Sequence, residues 1–521
     1  MAEPKTQPET DDAVVKKAGR GGMFVLAAKV FFQLVGFVQQ ALLPKAIGLA
    51  GYGGFSRVFA PSSVVSNVIV FGFTQGVSRT VAGAGDKDRQ AFRAAYRVHL
   101  ALGTAMALAF LALSPVIAWF QDAPYITTPL MVMAGLLFVY GAYAPLVGFL
   151  NGKGSFGRQA TLDMTAATLR TAGLVGLGFF FRKKWEAGVL GSAVGAVLAA
   201  VIVCGIALAW TGTGEKPTED DPRIPKAWPY FLGLVPVMAA QLFTSALMQA
   251  DITVLGHFLS VSAKAAVTAD PQKAADEWVG VYRACQLFAF LPYQLLFSVT
   301  QVLFPMLAKA HKEGDAAGVA KLVSRGSRLG AIVTGFFASV VVALPASLLG
   351  FVYGKDVSHR GFATLGVLAL GQAAFAMFGL VTTVLVSLGK ERKAMGLTAT
   401  ALALTFVVNW LLVGRADFGG GQIFGSALAT SISVVISLGL GVVLVRGEAG
   451  AFVPAKTAVR VGLVLGGLSL LGRFVPMLPK LVTPFACVGV VASYVLLLVV
   501  TGELGRADLD TVRGVLSRKK K

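Results

Sequence analysis

The chain has 521 residues, of which 55% are hydrophobic and 14% are charged, and its net charge at neutral pH is +20. This composition excludes a disordered chain, and because the charges lie between apolar stretches it also excludes a basic nucleic-acid-binding protein. Short connectors leave no room for a soluble catalytic domain. We therefore predict an all-α polytopic membrane protein with about 14 transmembrane helices, each of roughly 20 apolar residues.

The predicted spans are helices because the bilayer interior requires every backbone group to be hydrogen-bonded within the protein. An outer-membrane barrel would instead show alternating segments of about 10 residues. In chain order the predicted spans are residues 22–47, 58–81, 98–120, 128–150, 160–181, 187–211, 229–258, 279–308, 329–353, 361–388, 396–413, 419–445, 457–475 and 481–501.

Lysine and arginine residues are concentrated in the N-terminal tail and in alternate connectors. The positive-inside rule then predicts that both termini are cytoplasmic. One connector opposes the rule, because Arg182, Lys183 and Lys184 fall on the predicted external side.

The most polar connector follows the sixth span and predicts a linker between two pseudo-symmetric six-helix bundles. Weak internal similarity at an offset of 226 residues supports the division, since Gly54 matches Gly280 and Thr74 matches Thr300. An even number of spans per half predicts a parallel repeat. The predicted segments are a disordered cytoplasmic tail (1–21), an N-terminal bundle (22–211), a cytoplasmic linker (212–228), a C-terminal bundle (229–445), helices 13 and 14 (446–501) and a basic cytoplasmic tail (502–521).

Two pairs of glycines, Gly191 with Gly195 and Gly462 with Gly466, have the spacing that permits close packing of membrane helices. In a chain with 61 glycines such pairs are expected by chance, so the spacing alone indicates little.

Polar residues follow one face of four apolar spans. Such stripes either line a hydrated cavity or bond one helix to another, and their matching positions in both halves favour a cavity. They comprise Lys29, Gln33, Gly36 and Gln40 on span 1, Ser63, Asn67, Thr74 and Ser78 on span 2, Gln241, Thr244 and Asp251 on span 7, and Arg283, Gln286, Gln294, Ser298 and Gln301 on span 8.

Basic residues outnumber acidic residues within the spans. A charge at such depth is costly and requires an ionic partner, water or a bound anion. A cationic cavity suits a phosphate or pyrophosphate, to which arginine offers two parallel hydrogen bonds. The intramembrane charges that carry this argument are Lys29, Arg79, Arg170 and Arg283, against Asp163 and Asp251.

Other roles stay open for most of these charges. Arg79 and Asp163 lie near the cytoplasmic ends of their spans, where interfacial residues are ordinary, and Arg283 is close enough to an end to snorkel. Asp251 is either a structural partner of a neighbouring helix or a carboxylate for ion coupling, and Asp163 is the second candidate for coupling. Lys29 and Arg170 are the strongest candidates for substrate binding.

Motifs for ATP hydrolysis, metal binding and nucleophilic catalysis are lacking in the sequence. No GxxxxGK[ST] phosphate loop occurs, and the three cysteines and four histidines are scattered. We therefore predict a transporter without a cofactor, driven by an ion gradient, by the membrane potential or by the gradient of its cargo, rather than an enzyme.

Several segments resemble a known family. Four of them are similar to polysaccharide-type (Wzx-like) flippases of the multidrug/oligosaccharidyl-lipid/polysaccharide exporter superfamily. These are GGMFVLAAKVFFQLVGFVQQALLPKAIGLAGYGGFSRV (21–58), GFTQGVSRTVAG (72–83), MQADITVLGHFLS (248–260) and VGVYRACQLFAFLPYQLLFSVTQVLFPMLAKA (279–310). These motifs cover about a quarter of the chain, and the similarity of topology covers all of it.

The resemblance implies alternating access and a location in the bacterial inner membrane. It implies as cargo an undecaprenyl-pyrophosphate-linked oligosaccharide, a repeat unit of O-antigen, capsule or exopolysaccharide, and as partners the polysaccharide polymerase and chain-length machinery. The pyrophosphate would be held by Lys29, Arg79, Arg170 and Arg283, with Gln33, Gln40, Asn67 and Gln294 as further binding residues. The alternatives are a cation-coupled multidrug exporter, a lipid II flippase and, from another class, a membrane glycosyltransferase or polymerase.

Overall fold

The computed structural model describes residues 11–216, 221–267 and 269–505, and within them the side chains from residue 31 onward except those of 295, 297–299, 301 and 302. The described chain contains helices and no strands. By its internal contacts it forms two compact units, Met1–Ser245 and Ala246–Lys521. The predicted six-helix grouping and the linker at 212–228 remain predictions.

Unit 1 holds seven α-helices in its described residues. They are α1 (Asp11–Asn67), α2 (Thr74–Ala84), α3 (Asp88–Phe120), α4 (Thr127–Gly152), α5 (Phe156–Trp185), α6 (Gly188–Thr211) and α7 (Ala227–Leu247), whose last two residues lie beyond the unit boundary.

Unit 2 holds ten α-helices in its described residues. They are α8 (Ala250–Ala266), α9 (Pro271–Ala289), α10 (Leu291–Lys312), α11 (Ala316–Ala343), α12 (Pro345–Tyr353), α13 (Lys355–Ser387), α14 (Glu391–Val413), α15 (Gly420–Ala449), α16 (Ala455–Gly472) and α17 (Thr483–Val500).

The prediction of an all-α polytopic membrane protein is confirmed. Eleven helical segments of the described chain are long and apolar enough to cross a membrane. The first of them, residues 31–120, covers the first predicted span from residue 31 onward and all of the second and third, because α1, α2 and α3 follow one another almost without interruption.

Four predicted spans are each divided between two helices. Span 2 passes from α1 to α2 through a π-helical segment, Val68–Phe73. Span 7 breaks between α7 and α8, span 8 between α9 and α10, and span 9 between α11 and α12. Pro292 and Pro345 occupy the first turn of α10 and α12, where proline's missing N–H is tolerated and its fixed φ favours the start of a helix. Hydropathy alone does not reveal these breaks.

The predicted connector between spans 1 and 2 is helical. α1 continues through it with one break at Gly48, whose φ of 81° lies in the region that favours glycine. Arg182, at the end of α5, donates from Nη1 to the carbonyl oxygen of Ala46 at 3.1 Å. This hydrogen bond satisfies a carbonyl group that the break leaves without its helical partner. It also explains why a basic residue occurs at position 182, on the predicted external side.

Close glycine contacts set the packing of α5 on α6. A Cβ atom on Gly195 would lie 2.1 Å from the carbonyl oxygen of Gly173, and one on Gly191 would lie 2.4 Å from that of Leu177. The small-residue spacing in α6 therefore does serve close helix packing. The same spacing in α16 does not, because Cβ atoms on Gly462 and Gly466 would meet nothing within 4 Å.

The polar connector after α6 is bound to the start of α3 within unit 1. Arg223 contacts Asp86 at 2.5 Å and Asp221 at 2.7 Å, and Arg93 donates to the carbonyl oxygen of Gly214 at 3.3 Å. Hydrogen bonding from Arg223 lowers the pKa of Asp221 to about 2.

Candidate functional site

The clearest candidate in unit 1 is Arg170, near the middle of α5. Its guanidinium carbon lies 5.4 Å from the centroid of the Phe59 ring in α1, within the range of a cation–π contact. Its Nε atom is buried and has no hydrogen-bond partner among the described residues. Arg170 therefore presents a positive charge with at least one unused donor in a membrane-spanning helix.

The contact between α1 and α5 brings polar groups of both helices together beside Arg170. Thr171 donates to the side-chain oxygen of Gln39 at 3.4 Å, a long hydrogen bond, and Gln39 is buried. Gln40, predicted to bind substrate, accepts a hydrogen bond from Tyr52 at 2.8 Å. One residue of the predicted polar stripe, Gln40, is therefore hydrogen-bonded within α1.

The other predicted residues of unit 1 differ in their exposure. Gln33 and Arg79 are exposed, whereas Asn67 and Asp163 are half-buried. Lys29 lies in α1, and its side chain is outside the described part of the chain.

In unit 2, Asp251 at the start of α8 is the centre of a buried polar cluster. Its side chain is only 2% exposed. Oδ2 accepts hydrogen bonds from the Tyr282 hydroxyl at 2.8 Å and from Gln286 Nε2 at 2.9 Å, and Oδ1 accepts one from the backbone N–H of Ile252 at 2.7 Å. Three donors thus converge on one carboxylate from α8 and α9.

Arg283 joins this cluster through Gln286, because its Nη1 donates to Gln286 Oε1 at 2.8 Å. The half-buried Arg283 therefore stands one side chain away from the Asp251 carboxylate. Gln294, on α10, is exposed.

A second polar group, from α14 and α15, was not predicted. Asn409 accepts a hydrogen bond from Ser426 at 2.8 Å and donates one to Thr430 at 3.3 Å. The Tyr282 hydroxyl lies beside the same two hydroxyls, which connects this group to Asp251. The signal was present in the sequence, because Ser426 and Thr430 share one helix face at i and i+4.

Arg57 has a structural role that was not predicted, and it is completely buried in unit 1. Its Nη1 donates to the backbone oxygen of Gln121 at 3.3 Å, and Gln121 Nε2 donates to the backbone oxygen of Arg57 at the same distance. These reciprocal hydrogen bonds tie α1 to the end of α3.

With both clusters defined, comparison with known proteins decides the family. A family model described as polysaccharide biosynthesis protein matches residues 18–311. The chain belongs to this family. No curated protein matches the chain.

The fold of this chain is similar to that of several solved membrane transporters. The chain is similar to the lipid II flippase MurJ in an inward closed conformation, with a TM-score of 0.72, 12% identity and coverage of 94% of this chain and 99% of that chain. It is also similar to the multidrug transporter DinF-BH, with a TM-score of 0.59, 18% identity and coverage of 86% and 98%. A third similar structure is an inward-facing multidrug resistance MATE family transporter of the MOP superfamily. Its TM-score is 0.59 at 15% identity, with coverage of 82% of this chain and 98% of that chain.

The resemblance to polysaccharide-type members of the exporter superfamily is confirmed, and so is the prediction of a transporter rather than an enzyme. The chain is a multi-pass membrane protein of the polysaccharide biosynthesis family, and it shares the fold of solved flippases and multidrug transporters.

Proposed function

We propose that this family member moves an undecaprenyl-pyrophosphate-linked oligosaccharide from the cytoplasmic to the outer leaflet of the bacterial inner membrane. The observation that carries the proposal is Arg170, a cation in the membrane-spanning part of α5 that has no carboxylate partner among the described residues. Family membership supports a saccharide-linked cargo.

The chemistry of pyrophosphate fits such a residue. An isolated guanidinium at membrane depth is energetically costly, and a bound anion lowers that cost. Arginine forms two parallel hydrogen bonds to phosphate oxygens, which fixes orientation as well as charge. Packing on Phe59 holds the guanidinium in place without neutralising it.

We assign supporting roles to the remaining predicted residues. Lys29, Arg79 and Arg283 are proposed to meet the pyrophosphate during alternating access, and Gln33, Gln40, Asn67 and Gln294 to contact the sugars. Both termini would be cytoplasmic, as the distribution of Lys and Arg predicts. The polysaccharide polymerase and chain-length machinery are the proposed partners.

Asp251 supports a coupling role within the same proposal. A buried carboxylate that receives three hydrogen bonds, and has no directly bonded cation among the described residues, can gain a proton or a sodium ion during transport. The competing structural role predicts that Asp251 matters for folding alone. Asp163 is the second proposed coupling residue.

The test is flipping of a fluorescent undecaprenyl-pyrophosphate oligosaccharide in proteoliposomes, with and without a proton or sodium gradient. Arg170→Ala should reduce the flipping rate by at least about tenfold, which corresponds to losing roughly 1.4 kcal/mol. Arg158→Ala is the matched control, because Arg158 is exposed in the first turn of the same helix.

Equal flipping by both variants would contradict the role of Arg170. If the wild-type protein exports cationic dyes instead of this lipid, it is a multidrug exporter, and if it moves lipid II alone, it is a lipid II flippase. Polymer formation in the same vesicles would indicate a glycosyltransferase or polymerase. If Asp251→Asn abolishes the effect of the gradient while retaining slow flipping, the coupling role is supported.

A further inference from the structure

Unit 2 contains a cavity of about 590 Å³ between α11, α13, α15 and α16. Its volume falls in the range of roughly 300–1,000 Å³ that is usual for small-molecule sites. The wall is almost entirely apolar, with Leu438, Val442 and Leu465 as examples. The cavity is separate from Arg170, which lies in unit 1, and none of its lining residues belongs to the Asp251 cluster.

Two polar groups on this wall indicate the chemistry of an occupant. Thr334 of α11 is 3% exposed, and its hydroxyl has no hydrogen-bond partner among the described residues. Arg446, in the last turn of α15, is exposed and lines the same cavity. A buried hydroxyl without a partner is unfavourable in an apolar environment, and an occupant that carries oxygen atoms would satisfy it.

Arg446 differs from two other arginines of this unit. Arg328 of α11 and Arg460 of α16 both bind Glu503, at 2.8 Å and 3.3 Å. Arg446 has no ion-pair partner within the described part of the chain. Its charge is therefore available to an anionic group at one edge of an apolar cavity.

The wall formed by α16 is open because two glycines face the cavity. Cβ atoms on Gly462 and Gly466 would meet nothing within 4 Å, and both residues line the cavity. Glycine is a poor helix former, so α16 retains two unfavourable residues where larger side chains would fill the space.

We infer that this cavity binds one anionic glycerophospholipid of the cytoplasmic leaflet. One acyl chain would occupy the apolar volume along α16, the phosphate would bind Arg446, and the Thr334 hydroxyl would donate to a lipid ester oxygen. Anionic headgroups are attracted to basic residues at the cytoplasmic surface, where the charge distribution places the end of α15. An undecaprenyl chain is much longer than this cavity and would leave most of its length outside. The inference does not depend on the proposed transport function.

The experiment is a native mass spectrometry titration of delipidated full-length protein. Phosphatidylglycerol and phosphatidylcholine with identical acyl chains are the two probes. The wild-type protein should bind one phosphatidylglycerol with a Kd about tenfold lower than that for phosphatidylcholine. Gly466→Leu should weaken phosphatidylglycerol binding at least about tenfold, because leucine fills the cavity.

Two further variants distinguish the effect of the Arg446 charge from the effect of the space inside the cavity. Arg446→Gln should remove most of the preference for phosphatidylglycerol while leaving phosphatidylcholine binding unchanged. Gly467→Leu is the matched control: it lies next to Gly466, its Cβ would also meet open space, and it does not line the cavity. Its lipid binding should equal that of the wild-type protein.

Wild-type binding by Gly466→Leu, or equal affinity of the wild-type protein for both lipids, would overturn the inference. So would displacement of phosphatidylglycerol from the cavity by equimolar undecaprenyl phosphate, since the cavity would then belong to the cargo. Thermal unfolding checks that each variant is folded. If Gly466→Leu is unfolded, Gly462→Leu replaces it, and Arg446→Gln tests the headgroup site without changing the packing.

Discussion

Arg170 in unit 1 and Asp251 in unit 2 are both single charges in apolar segments, yet their surroundings are opposite. Asp251 is 2% exposed and receives three hydrogen bonds from its own unit. Arg170 rests on an aromatic ring and has a buried Nε atom without a partner in the described chain. The difference shows that a charge within the membrane indicates function most clearly where the protein leaves its hydrogen-bonding capacity unused.

The largest expected effect on stability comes from disturbing the packing of α6 on α5, the helix that carries Arg170. Gly195→Leu would force a side chain against the backbone of Gly173, so we expect a loss of about 3 kcal/mol in the free energy of unfolding. Thermal unfolding in detergent measures it. Gly467→Leu, which meets open space, is the control, and equal stability of the two variants would contradict the close packing of α5 on α6.

Removing the Asp251 carboxylate should lower the unfolding free energy by nearly as much. Asp251→Ala leaves the buried donors of Tyr282 and Gln286 without their acceptor, and we expect a loss of about 2.5 kcal/mol in unfolding free energy. Asp251→Asn keeps an acceptor oxygen and should lose less. Denaturant unfolding of both variants measures these losses. If the alanine variant is as stable as the wild-type protein, the structural difference between Asp251 and Arg170 is contradicted.

Glu503 offers a third kind of buried charge, one paired directly with cations. Its carboxylate binds Arg328, Arg460 and Thr457. Glu503→Ala should lower the unfolding free energy by about 2 kcal/mol, because the two arginines lose their shared partner. Glu503→Gln, which keeps the hydrogen bond to Thr457, should cost less in the same unfolding assay.

The Glu503 contacts should also depend on pH. Burial by itself raises the pKa of Glu503, but hydrogen bonds from Arg328, Thr457 and Arg460 outweigh it and the net pKa is lowered from 4.5. The folded pKa therefore lies below the unfolded one, so the stabilisation is present above about pH 4.5 and is lost as the pH falls below it. Unfolding curves of wild type and Glu503→Gln should converge in acid, and a constant gap would contradict the ion pairs.

The smallest effect on stability is expected at Arg170 itself. Because Arg170 has no ion-pair partner to lose among the described residues, and contacts Phe59 through a single cation–π interaction, Arg170→Gln should lower the unfolding free energy by no more than about 1 kcal/mol. The same variant should lose flipping in proteoliposomes. A large loss of stability would show that Arg170 belongs to the packing, as Asp251 does.

Much of the fold followed from the sequence, since long apolar stretches can only be helices in a bilayer. The breaks at Pro292 and Pro345 were not predicted, because hydropathy averages over them, and the helical path through Gly48 depends on Arg182 from a distant part of the chain.

The candidate sites were predictable only in part. Arg170 and Asp251 stood out because charge is rare in apolar spans. Asn409 shares a cluster with Tyr282 because α8, α9, α14 and α15 pack together, which spacing along one helix cannot show. Similarly, Gln33 and Gln40 share a predicted face, yet Gln33 is exposed and Gln40 is bonded to Tyr52.

The hydrogen bond from Arg182 to Ala46 has a consequence for biosynthesis. The two residues are 136 positions apart. Ribosomes that add roughly 5–20 residues per second therefore need about 7 to 27 seconds to synthesise Arg182 after Ala46. During that interval the carbonyl of Ala46 must be satisfied by water, lipid headgroups or the insertion machinery. The first helix of the nascent protein therefore acquires its final hydrogen bonding only when the fifth helix has been synthesised and inserted beside it.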